Sequence, residues 1–194
     1  MKLVKPLATL GMASAILLSA SNIAFADTTS TASFTLKASE GGESGAATID
    51  EISAIEFGEK TLSDKEETYT AINPLLMKVS DTRGTGEGWA LNAKITKFVK
   101  ENDTSVELRG SVLTIAQGEV TSPSGSASEK PTAAKNVVLN DEEHTLFAGR
   151  RDQGLGTWLN TVSASGVTLK VPNGNKAGKY TATISYVLAA APQS

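Results

Sequence analysis

The sequence predicts an all-β fold, a single antiparallel β-sandwich domain behind an N-terminal export signal. Three observations carry that expectation: runs in which apolar and polar residues alternate with a period of two, turn-forming residues between those runs, and no stretch with helical apolar spacing over three turns. Alternation places every second side chain on one face of a strand, so each run has one face to bury and one to leave in water. Many short strands of this kind become stable by stacking face to face or closing into a barrel.

The first run is Ser33 to Lys37, with Phe34 and Leu36 on one face. It sits in a segment, 27–47, whose Ser, Thr, Gly and Ala bury too little apolar surface to offset chain entropy, so a loose N-terminus around one short strand is expected. The domain itself is expected over 48–194. Ile55 and Phe57 alternate, then Leu75, Met77 and Val79, then Trp89, Leu91, Ala93 and Ile95 against Asn92, Lys94 and Thr96. Leu113 and Ile115, Val137 to Leu139, and Thr145 to Phe147 read as three further strands. The last third adds Trp158 to Val162, then Val167, Leu169 and Val171, then one long run through Tyr180, Ala182, Ile184, Tyr186 and Leu188. Asn73-Pro74, Pro172-Asn173-Gly174 and Ala177-Gly178 supply turns. Ser122 to Ala134, rich in Ser, Gly, Ala and Pro, reads as a flexible surface loop.

Residues 1–26 read as a secretory signal peptide: Lys2 and Lys5, an apolar stretch from Leu7 to Leu18, and Ala24-Phe25-Ala26 ahead of a cleavage point between Ala26 and Asp27. The apolar stretch is shorter than the roughly 20 residues that span a bilayer. No cysteine follows it to take a lipid, and Ala191-Pro192-Gln193-Ser194 is no sortase signal, so any hold on a cell surface is expected to be noncovalent.

The composition narrows the chemistry. The 194 residues contain no cysteine and one histidine, His144, which removes thiolate nucleophiles, cysteine metal sites and any constellation of two imidazoles. Eighteen Lys and Arg against 21 Asp and Glu leave a net charge of -3, no excess of cations for nucleic-acid phosphates. Asp141-Glu142-Glu143-His144 crowds carboxylates around the sole imidazole, yet reads as a solvated hairpin turn, because neighbouring strand residues point to opposite faces. No catalytic residue, metal site or cofactor is expected, and binding is the expected activity.

Two glycine-rich segments lead into tryptophan strands, Gly84 to Trp89 and Gly154 to Trp158. The first, Asp81 to Gly88, enters a strand and not a helix, which denies it the helix amides of a phosphate cradle. It reads as a tight connection whose glycines take positive φ or admit a neighbouring chain, with Asp81 and Arg83 placed to pair across it. The stretch ahead of the second tryptophan, Gly149 to Gly156, carries Arg150 and Arg151, which read either as a solvated pair or as contacts to an anionic polymer such as a teichoic acid. Trp89 and Leu91 share one strand face, as do Tyr186 and Leu188; each pair either packs the core or offers an aromatic and aliphatic platform to sugar faces.

At Val79-Ser80-Asp81-Thr82-Arg83-Gly84-Thr85-Gly86-Glu87-Gly88-Trp89-Ala90-Leu91 the chain resembles the WxL domain family, surface proteins of low-GC Gram-positive bacteria that associate noncovalently with the cell wall. Gly154 to Trp158, Val167 to Pro172 and Gly178 to Ile184 extend the resemblance over nearly the whole exported chain. It implies a secreted protein of the cell surface that binds peptidoglycan or another wall polymer, with Trp89 and Leu91 as the proximal wall-binding motif. The distal motif departs from the family pattern: Tyr186-Val187-Leu188 stands where Trp-x-Leu is usual, and Ala189-Ala190 where an acidic residue is usual. The resemblance also implies a complex with larger WxL proteins and a membrane-anchored partner. An adhesin for a host matrix protein is the alternative, and a subunit that exchanges its Ser33 to Lys37 strand with a neighbour is a third reading.

Overall fold

The computed structural model describes Phe34 and residues 47–191. The expected signal peptide, its cleavage point at Ala26 and Asp27, and the short strand at Ser33 to Lys37 apart from Phe34 lie outside those residues. The described chain is antiparallel β-structure in four small sheets. The first sheet has the order β1 (Thr48–Ile52), β3 (Leu75–Asp81), β12 (Gly156–Val162) and β8 (Glu119–Thr121). The second is β10 (Val137–Leu139), β7 (Val112–Ile115), β13 (Val167–Val171) and β2 (Glu67–Thr70). The third is β15 (Ile184–Ala189), β4 (Trp89–Ile95), β11 (His144–Gly149) and β9 (Thr132–Ala133). The fourth joins β14 (Tyr180–Thr181), β5 (Val99–Lys100) and β6 (Asp103–Glu107).

The alternating runs supply the core. Leu75, Met77 and Val79 of β3, Trp89, Leu91, Ala93 and Ile95 of β4, Phe147 of β11 and Trp158 and Val162 of β12 belong to one buried cluster, joined by Leu113, Ile115, Val167 and Leu169. Asn160 interrupts the apolar inner face of β12. Gly118 makes room for it, since a Cβ at that position would collide with the Asn160 Oδ1.

Four expectations are corrected. Ile55 and Phe57 form no strand: they pack half-buried on the core, but the segment makes isolated backbone bonds, Ser53 to Leu76 and Ile72 to Glu56, instead of a ladder. The long run from Tyr180 to Leu188 divides at Ala182-Thr183, where Thr183 and Thr96 exchange bonds, so its halves pair with β5 and β4. Residues 141–143 are not a hairpin turn, because β10 and β11 belong to different sheets; they form an exposed corner. There Asn140 Oδ1 accepts from the Glu142 amide at 2.8 Å and lies 2.8 Å from His144 Nε2. Among the described residues no three His, Asp or Glu gather as metal ligands. Finally, 122–134 contains β9 and is tied down by side-chain bonds described below.

Candidate functional site

Two connections cross between the first and third sheets at the same end. β3 and β12 are paired with Asp81 opposite Gly156, and β4 and β11 are paired with Trp89 opposite Gly149. Residues 82–88 and 150–155, which link these four strands, therefore emerge side by side. Asp152 N–H donates to Gly86 O at 2.8 Å, stitching one loop to the other. The third member of the cap is the 122–131 segment. Gly154 N–H donates to Glu129 O at 2.9 Å, Ser126 Oγ to Leu155 O at 2.8 Å, and Gln153 Nε2 to Glu129 Oε2 at 3.1 Å.

The first loop is closed from inside by an ion pair. Arg83 grips Asp81 with both prongs, Nε to Oδ1 at 2.9 Å and Nη2 to Oδ2 at 2.8 Å, and Nη2 also donates to Gly88 O at 2.8 Å. The Asp81 side chain is fully buried and that of Arg83 is 14% exposed. A fork-to-carboxylate pair of this kind fixes direction as well as distance. The hydrogen bond to Asp81 is the largest influence on Arg83 and holds its guanidinium more firmly protonated than usual.

Glycines permit the loops to touch. Gly84, Gly86 and Gly88 all have φ near +70°, a region L side chains avoid. At Gly88 a Cβ would stand 2.5 Å from Gly149 O and 2.7 Å from the Arg150 carbonyl. Gly88→Ala is thus expected to cost about 2 to 5 kcal/mol, combining backbone strain with a clash against main chain that has no side-chain freedom to yield. At Gly84 nothing lies within 4 Å, so Gly84→Ala should cost about 1 kcal/mol. Urea unfolding of the two variants checks the difference.

Both tryptophans of the chain then hold the second loop. Trp89 Nε1–H donates to Gly154 O at 3.0 Å, and Trp158 Nε1–H donates to the next carbonyl, Leu155 O, at 2.9 Å. The Trp89 ring also lies against Gly154, where a Cβ would come within 2.9 Å of the indole nitrogen, and stands edge-on to Phe147 at 4.8 Å. Thr82, Thr85, Glu87, Arg150, Arg151 and Asp152 are left exposed on the outside of the cap. The arrangement is a fixed surface of hydroxyls and charges, braced by buried indoles.

A family model described as WxL domain, surface cell wall-binding, matches residues 20–192. The chain belongs to the WxL domain family. It is therefore a surface cell wall-binding domain. No curated protein matches the chain significantly. Among solved structures, one described as a chaperone-tip adhesin complex vital for synergistic activation of CFA/I fimbriae biogenesis aligns with a TM-score of 0.41 and 17% identity. That alignment covers 77% of this chain and 44% of that one, so the WxL chain spans under half of its length.

The fold brings Trp89-Ala90-Leu91 and Tyr186-Val187-Leu188 onto adjacent strands. Leu188 lies directly opposite Leu91, whereas Tyr186 lies opposite Ala93, away from Trp89. All four side chains point inward. Trp89 is 1% exposed and Leu91 fully buried, while Tyr186 and Leu188, on an edge strand, are half-buried against the same core. Of the two readings open for Trp89 and Leu91, core packing describes their position, and no free ring face is available at Trp89 as a sugar platform. Sequence reasoning missed the contribution of 122–131. Its Ser and Gly content carries no mark of the partner loop that it would meet.

Tyr186 gives the domain an alkaline weakness. Burial pushes its hydroxyl from 10 up to about 12, since the phenolate would lose water without gaining a partner. A folded-state value above the unfolded one means stability fully present below pH 10 and lost as pH rises toward 12, about 2 to 3 kcal/mol in all. Unfolding at a series of pH values should show that loss, and Tyr186→Phe should lack it.

Proposed function

We propose that this WxL domain is exported, loses residues 1–26, and attaches noncovalently to the peptidoglycan of a Gram-positive cell through the cap formed by 82–88 and 150–155. The observation that carries this reading is the division of labour inside the proximal motif. Its apolar and ionic members, Trp89, Leu91, Asp81 and Arg83, are spent on holding the loops, and its hydroxyls Thr82 and Thr85 are left facing outward. Trp89 and Leu91 then serve the wall site as positioning residues, and Tyr186 and Leu188 support them from the neighbouring strand. Exposed hydroxyls on a rigid frame suit a polymer of sugar hydroxyls and amides, because little side-chain freedom is lost on binding. Membership of a complex with larger WxL proteins and a membrane-anchored partner belongs to the same proposal.

A second reading is favoured by Arg150 and Arg151, adjacent, exposed and in no ion pair among the described residues. They offer two cations to an anionic wall polymer. Cosedimentation with purified sacculi, with and without teichoic acid and across a salt series, separates the two. Salt-resistant pelleting with stripped sacculi, reduced by Thr82→Ala/Thr85→Ala at unchanged stability, is the expected result. Pelleting that needs teichoic acid, fades with salt and is lost in Arg150→Glu/Arg151→Glu would replace peptidoglycan with the anionic polymer. No pelleting in either preparation would overturn both.

A further inference from the structure

The third sheet has an open edge at β15, and that edge differs from the others. Sheet edges present unpaired N–H and C=O groups, and proteins usually guard them with charge, proline or brevity. Such guards occur throughout the other sheets: Asp50 and Glu51 on β1, Glu67 on β2, Glu119 on β8, and Asp103 and Glu107 on β6. β9, β10 and β14 are two or three residues long. By contrast, β15 has six residues, and from Ile184 to Ala191 there is neither charge nor proline. Its inner side pairs with β4, and among the described residues its outer side has no strand partner.

We infer that β15 is a dimerisation edge, taking β15 of a second copy of this chain in an antiparallel two-fold pairing that continues the sheet across both molecules. Two features select a second copy as the occupant. The first is charge. A chain whose acidic residues outnumber its basic ones, the more so once Lys2 and Lys5 leave with residues 1–26, repels its own kind, and a two-fold pairing at β1 or β6 would set carboxylates against carboxylates, whereas β15 sets no charge against any. The second is self-complementarity. Val187, 45% exposed, stands on the outer face at the centre of the strand, and Tyr186 and Leu188 flank it on the inner face, half-buried. A two-fold axis through Val187 stacks it on its own copy, sets Ser185 opposite Ala189, and sets Tyr186 opposite Leu188 on both sides of the axis. Opposed residues in an antiparallel pair share a face, so the core faces of the two copies run on without a step. What remains exposed of the half-buried Tyr186 and Leu188 is thereby covered by the facing copy.

The pairing has a consequence that rests on the proposed wall site. Leu188 and Ala189 lie beside Leu91 and Ala90, so the end of β15 points toward the cap. A two-fold axis perpendicular to the sheet sends the second cap to the opposite end, which makes the dimer bivalent for two separate wall strands.

The dimer is tested without any wall material. Sedimentation velocity of protein isolated from its producing cells should give twice the chain mass at high concentration, dissociating on dilution. Val187→Lys, an exposed position that places two like charges on the axis, should give the monomer mass and melt at the temperature of the dilute, dissociated wild type. The absence of native cysteine permits a register test. Val187→Cys alone should form a disulfide-linked dimer on oxidation, Ser185→Cys alone should not, and a mixture of Ser185→Cys and Ala189→Cys chains should. A monomer at every concentration overturns the inference. So does a dimer that survives Val187→Lys, or one abolished by Phe34→Asp but not by Val187→Lys, the latter pointing to the N-terminal segment as the strand donor. These outcomes are independent of whether sacculi are bound.

Discussion

Replacing Trp89 with alanine is expected to destabilise the domain by about 3 to 5 kcal/mol, enough to unfold a marginal protein. The indole is almost wholly buried, stands edge-on to Phe147, and supplies the hydrogen bond to Gly154 O. Truncation leaves a large cavity between β4 and β11 and an unpaired carbonyl in the cap. A shift in the urea midpoint at unchanged slope measures the loss. Trp89→Phe keeps a ring against Phe147 while removing the N–H, and should cost about 1 to 2 kcal/mol beyond any change in packing. Faster amide exchange in 150–155, with residual wall pelleting, is the expected signature of a positioning residue. A Trp89→Phe domain with an intact cap and no pelleting would place the indole itself against the ligand.

Arg83→Met is expected to cost a similar amount, about 3 to 5 kcal/mol, for an electrostatic reason. The Asp81 carboxylate has no exposed side-chain surface, and Arg83 supplies both of its charged donors. Removing the cation strands a buried anion with the Arg83 backbone N–H as its remaining donor. Restoring a neutral pair with Asp81→Leu/Arg83→Met should recover much of the loss, since a buried ion pair is worth little more than well-packed apolar groups of like volume. Arg83→Lys keeps the charge but not the fork, and should fall between wild type and Arg83→Met. Chemical unfolding of wild type, Asp81→Leu, Arg83→Met and Asp81→Leu/Arg83→Met forms the double-mutant cycle, and full additivity of the two single changes would disprove the pairing argument.

The strands with three or more alternating apolar residues were legible without coordinates. Leu75 to Val79, Trp89 to Ile95 and Val167 to Val171 each declare a buried face through period two alone. The pattern misled where apolar residues were few. Ile55 and Phe57 satisfy alternation over one repeat, and a half-buried loop satisfies it equally well. It also carried no break signal at Ala182-Thr183, because the apolar and polar alternation runs on through the two residues at which one ladder ends and the next begins. The short β2, β5, β6, β8 and β9 are polar or nearly so, and exist because a neighbour offers hydrogen-bonding groups.

The candidate site divides along the same line. The Asp81 and Arg83 pair, the glycines of positive φ, and the likeness of the two glycine-to-tryptophan segments follow from residues close in sequence. Their chemistry is local: a carboxylate and guanidinium two residues apart, and backbone that only glycine adopts without strain. That the two loops meet, that Trp89 and Trp158 reach consecutive carbonyls, and that Glu129 and Ser126 brace them depend on strand order. Asp81 opposite Gly156 and Trp89 opposite Gly149 are pairings across sixty residues or more, and no local propensity encodes them. Alternation states that Trp89 has an apolar face to hide. The sheets that converge on it decide that the face is hidden by protein, because burial is a property of what packs against a strand and not of the strand itself.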